Sequence, residues 1–146
     1  MKSVLMVLLF ILSLPVWANK MGLGLSIGNP TGLNGKYWMD SNHAIDGGFA
    51  MSLGHSTNVS LHSDYLFHRP ESFFLNDIYA LDLYYGAGGR MEFSDSPEVG
   101  VRVPVGLLYN TENRQSDIFG EVAPIVDFIG RTGLELHFLL GARYYF

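Results

Sequence analysis

The residues closest to a catalytic arrangement are His55 and Ser56, in the run His55-Ser-Thr-Asn58 with His62 and Ser63 just beyond. A serine nucleophile needs a positioned base and a third group to orient that base, which would give ester hydrolysis or acyl transfer. No acid stands beside this pair in the chain, and Gly, Ser, Thr and Asn are also the residues a hairpin turn selects. A larger set is Lys36, Asp46, Asp64, Asp82, Arg90, Glu92, Arg102, Glu121, Asp127, Glu135, His137 and Arg143. Each falls at an alternate position of an otherwise apolar or small-residue segment. If those positions share one enclosed side of a sheet, the charges must pair, because an unpaired buried charge costs several kcal/mol. The five histidines, at 43, 55, 62, 68 and 137, show no metal-ligand spacing. No helix follows Gly22-Leu-Gly24 to receive a phosphate. The sequence therefore points to no metal and no cofactor.

Positioning these side chains falls to strands. The segments 20–28, 33–39, 44–53, 59–68, 78–93, 99–109, 118–128 and 134–146 each alternate with a period of two. The last is the most regular: Leu134, Leu136, Phe138, Leu140, Ala142, Tyr144 and Phe146 lie opposite Glu135, His137, Leu139, Gly141, Arg143 and Tyr145. A strand of about 13 residues is long for a globular sheet and long enough, when tilted, to cross a bilayer. Short turns such as Asn29-Pro-Thr-Gly32 and Gly130-Arg-Thr-Gly133 join the segments, so they form an antiparallel up-and-down meander. Two longer connections are expected at 69–77 and 110–117. Pro104 and Pro124 sit inside segments and should disturb the pairing there.

The first 18 residues combine Lys2, an apolar run from Val4 to Leu14 and Ala18, the pattern of a secretory signal peptide cleaved after Ala18. The alternative, a retained anchor, would need an apolar helix of about 20 residues. Residues 19–146 make one domain. The chain has no cysteine, so an exported fold must be stabilised without disulfides. A net charge of −5 with no basic run argues against nucleic acid as a partner.

Which face points inward follows from composition. The charged face is otherwise mostly Gly, Ala and Ser, too small for a solvated surface but suited to the interior of an eight-stranded barrel. The other face is Leu, Val, Ile, Met, Phe and Tyr, the lipid-facing band of a membrane barrel. Only a closed ring pairs every strand backbone group in lipid. A soluble, exported barrel would need the opposite arrangement. With the first strand leaving the periplasm, Tyr37, Tyr65, Phe67, Tyr109, Tyr144 and Phe146 fall at one end, as an interfacial aromatic girdle would. The charges then divide, with Lys36, Asp46, Asp64, Asp82, Glu121 and Arg143 in the periplasmic half and the remaining six in the outer half.

The ending Leu140-Gly-Ala-Arg-Tyr-Tyr-Phe146 resembles the C-terminal signal of Gram-negative outer-membrane barrels. That resemblance implies recognition by the barrel-assembly machinery through Phe146. The whole segment after Ala18 resembles the small eight-stranded barrels of the OmpA-domain and OmpX type. The opening Gly22-Leu-Gly-Leu-Ser-Ile-Gly-Asn-Pro-Thr-Gly-Leu-Asn-Gly-Lys-Tyr-Trp38 is similar to the start of a group of small bacterial outer-membrane barrels. The expected fold is an all-β, eight-stranded antiparallel transmembrane barrel. The expected role is structural or surface-interacting in the outer membrane, with lipid as neighbour and a lumen plugged by charged side chains. The alternatives are a lipid-modifying enzyme at the outer leaflet, using His55 and Ser56, and a narrow gated pore.

Overall fold

The computed structural model describes residues 20–53 and 57–146. The signal peptide expected at 1–18 lies outside them, as do His55 and Ser56. The described chain is entirely strands and turns: β1 Met21–Asn29, β2 Gly32–Trp38, β3 His43–Leu53, β4 Thr57–Leu75, β5 Tyr79–Phe93, β6 Glu98–Arg102, β7 Val105–Asn110, β8 Ser116–Ile129 and β9 Gly133–Tyr145.

Every neighbouring pair is antiparallel, and β1 pairs with β9 as well as with β2, from Gly22↔Tyr145 to Asn29↔Phe138. β4 pairs with β5, and β8 pairs with β6, β7 and β9, so the sheet closes on itself. β6 and β7 are two halves of one stave, since both lie between β5 and β8. The barrel thus has eight staves, and closure leaves no sheet edge around the ring.

The gap between β6 and β7 falls at Val103 and Pro104, because proline cannot donate to the ladder. Backbone bonds bridge the gap: Gly86 N–H donates to Pro104 O at 3.0 Å, and Val103 N–H donates to Pro124 O at 3.0 Å. Pro124 itself stays within β8, its ring on the exposed face.

Both long connections expected from the sequence are shorter than their composition suggests. The segment 69–75 continues β4 and pairs back onto β5 through Phe73↔Leu81, Phe74↔Ala80 and Leu75↔Tyr79, after an irregularity between Arg69 and Phe73. The pairing of β3 with β4 ends at His43↔Phe67, so this part of the β4–β5 hairpin projects past β3. Its turn places Asn76 and Asp77 at φ of 53° and 57°, a conformation Asn and Asp tolerate. The second connection is also reduced, because β8 starts at Ser116 and takes Asp117 into the ring.

The two faces of the ring have opposite chemistry. Leu25, Ile27, Leu134, Phe138, Leu140 and Tyr144 are among the many large apolar side chains that stand exposed. The bulkiest side chains that are almost wholly enclosed are instead Arg90 and Arg102, ahead of Tyr84, Leu66 and Leu108.

A charged and partly apolar lumen

The inward positions of the staves build two charge clusters. In the first, β6 supplies Arg102, whose Nε lies 3.1 Å from Asp64 Oδ2 on β4 and whose Nη2 pairs with Glu121 on β8. Tyr84 on β5 donates its hydroxyl to the second oxygen of Glu121 at 2.9 Å. On the next staves Arg143 Nε donates to Asp117 Oδ1 at 3.0 Å, and the Tyr145 hydroxyl donates to Asp117 Oδ2 at 2.6 Å. Lys36 Nζ sits 2.6 Å from His68 Nε2 and over the Trp38 ring, 4.3 Å from its centroid.

The second cluster surrounds one guanidinium. Arg90 Nη1 donates to Glu135 Oε2 at 2.6 Å and Nη2 donates to Glu98 Oε2 at 2.7 Å. Glu92 and Asp127 lie 3.4 and 3.6 Å from Nη2, and His137 Nε2 lies 3.2 Å from Nη1. Four carboxylates therefore face one arginine, and the planar fork of donors lets Arg90 serve several of them at once.

Apolar side chains close the space between. Leu66, Tyr84, Leu108, Phe119 and Leu139 form a buried cluster from five staves. The Arg143 guanidinium lies over the Phe119 ring, 4.0 Å from its centroid. An eight-stranded ring has room for side chains but not for a wide channel, and here both ionic and apolar groups are buried inside it.

Each charged residue singled out in the sequence has a definite place. Lys36, Asp46, Asp64, Arg90, Arg102, Glu121, Asp127, His137 and Arg143 are buried inside the ring. Glu92 and Glu135 are half-buried near Arg90. Asp82 stands apart from the other charges. It accepts from Glu71 N–H at 2.9 Å and from Asn110 Nδ2 at 2.9 Å near the end of the barrel. Arg102 belongs with Asp64 and Glu121, not with the Arg90 group where its chain position suggested. Tyr65, Phe67, Tyr144 and Phe146 are exposed, whereas Tyr37 and Tyr109 are half-buried. Ser63 faces outward and donates to the Asp46 carbonyl at 3.2 Å. His62 faces inward, so alternation separates the two and they cannot form a nucleophile–base pair.

The sequence reading missed Glu98, Asp117 and His68 as members of these clusters. Asp117 carried a usable signal: it lies two residues before Phe119 and four before Glu121, on the same alternate positions. His68 carried one too, four residues after Asp64 on the same alternate positions, whereas Glu98 sits at a segment end, where turn composition hides the period.

No protein-family model matches the chain, and no curated protein is similar to it. Two solved structures are. The N-terminal β-barrel domain of Pseudomonas aeruginosa OprF matches with a TM-score of 0.65 at 15% identity, covering 88% of this chain and 98% of that one. Ail, the attachment invasion locus protein of Yersinia pestis, matches with a TM-score of 0.47 at 19% identity over 86% of this chain and 95% of that one. The likeness to the OprF domain shows that this chain has the fold of a small outer-membrane β-barrel.

Proposed function

We propose that this protein is an integral outer-membrane barrel with a structural role, exported through a cleaved signal and plugged by its own side chains. The observation that supports the reading best is the inverted burial. Arg90 and Arg102 are 2% and 0% exposed while Leu25 and Leu140 are 65% and 56% exposed. Water would not favour that surface, whereas a bilayer would, provided every backbone group on the ring is paired.

With both termini on the periplasmic side, the outer turns are short, as between β1 and β2 and between β8 and β9. The β4–β5 hairpin then projects towards the periplasm, so surface contacts on the cell exterior are confined to a shallow rim. Tyr65, Phe67, Tyr144 and Phe146 would meet the inner interface, and the final strand would be what the assembly machinery reads. Reconstitution in planar bilayers tests the plug. The expected result is no steady conductance, and sustained open channels would contradict it.

A further inference from the structure

The β3–β4 pairing juxtaposes three side chains that linear spacing keeps apart. Asp46 on β3 is the register partner of Asp64 on β4, and His62 lies two residues from Asp64 on the same inward face. One ligand atom from each of Asp46, His62 and Asp64 lies within 4.8 Å of the others. Two glycines make the space. Gly48 is the partner of His62 and Gly88 the partner of Asp64, and a Cβ on either would strike that neighbour's side chain.

The group is short of partners. Asp46 is 8% exposed, yet its Oδ1 accepts no hydrogen bond, and neither does Asp64 Oδ1. Arg102 reaches Asp64 and is shared with Glu121, while Lys36, the register partner of Asp46, has its Nζ on His68. Two carboxylates, each with an oxygen that accepts no hydrogen bond, thus converge beside an imidazole, and a positive ion would satisfy them.

A cavity of about 410 Å³ is lined by Ala50, Asn58, Ser60 and Glu92. By register, Ala50, Ser60 and Glu92 form the inward layer next to that of Gly48, His62 and Arg90, and Asp46, Asp64 and Gly88 form the layer beyond. His62 therefore belongs to the layer next to the residues that line the cavity.

We infer that Asp46, His62 and Asp64 form a binding site for a divalent transition-metal cation inside the barrel. A set of one nitrogen and two carboxylate oxygens suits zinc or a similar borderline ion, with bonds of about 2.0–2.2 Å and open positions left to water. Magnesium and calcium prefer all-oxygen shells and more ligands. The neighbouring acids around Arg90 are a poorer candidate, because the guanidinium already occupies their centre.

The test is zinc titration by calorimetry of the detergent-solubilised full chain, with folding of each variant checked by the mobility difference between heated and unheated samples. One zinc per barrel is expected. Asp46→Asn and His62→Gln should each weaken binding at least about tenfold, while Asp127→Asn leaves it unchanged. Absence of zinc uptake by the folded barrel overturns the site, as does uptake that survives both Asp46→Asn and His62→Gln. Equal competition by magnesium overturns the assignment to transition metals.

Discussion

Arg102 Nε stands 3.1 Å from Asp64 Oδ2, and with Glu121 on its other side this one guanidinium ties β6 to β4 and β8 across the lumen. The stave carrying Arg102 is also the one interrupted at Pro104, which cannot donate to the ladder. The ion pairs therefore cross-link the ring beside that interruption.

Replacing Arg102 with Met should leave Asp64 and Glu121 enclosed without their cation. Removing one partner of a buried pair costs about 3–5 kcal/mol. Urea unfolding of the barrel in lipid vesicles measures it. A loss below about 1 kcal/mol would mean that water or another cation already serves these carboxylates.

Arg90 makes the complementary case. Arg90→Met removes the hub from four carboxylates and should destabilise the barrel by a similar amount, whereas Glu92→Gln should cost less than about 1 kcal/mol, since Glu92 is half-exposed at 3.4 Å. The same unfolding assay separates the two, and equal losses would contradict the hub role.

Much of this was legible in the sequence, for a physical reason. A closed ring imposes a strict period of two, so staves such as 134–146 and the identity of the lipid-like face could be read directly. What alternation cannot give is depth across the ring. Chain position sets Arg102 among the outer charges, yet the register pairs it with Gly88, itself the partner of Asp64, and so brings it into the layer of Asp64. The triad of Asp46, His62 and Asp64 is likewise invisible to spacing, because its geometry comes from the β3–β4 register. The segment 69–77 reads as a loop because Pro70 and the polar Glu71 and Ser72 break the period just before Phe73 resumes it.

Gly106 lies against the Tyr84 ring, where an added Cβ would meet the ring and the Gly120 carbonyl. Gly106→Ala should overpack this contact and cost about 1–3 kcal/mol. Thermal unfolding of the two proteins compares them, and an unchanged midpoint would show that Tyr84 moves freely.

Asp40, in the turn between β2 and β3, accepts from the backbone N–H groups of Asn42 and His43 at 2.8 Å each. The Asn42 bond foremost, with help from His43, holds this carboxyl below its ordinary value. A depressed folded value stabilises the turn above the usual carboxylate range, and the effect disappears as pH falls through the depressed value. An NMR titration should find Asp40 titrating below an ordinary aspartate, and Asp40→Asn should weaken the turn's amide protection at neutral pH but not at low pH. An ordinary titration midpoint would rule this out.

Orientation can be read by labelling, since the chain has no native cysteine. Thr132→Cys, in the β8–β9 turn, should react with a membrane-impermeant maleimide on intact cells. Asn76→Cys, at the tip of the β4–β5 hairpin, should react only after the outer membrane is opened. The reverse pattern would invert the barrel.

The central claim, a membrane-embedded closed barrel, is tested most directly by its location and its mobility together. Membranes separated by density should carry the protein in the outer-membrane fraction, and unheated samples should migrate differently from boiled ones in detergent gels. Release in soluble form by osmotic shock, with no mobility difference on heating, would contradict the account.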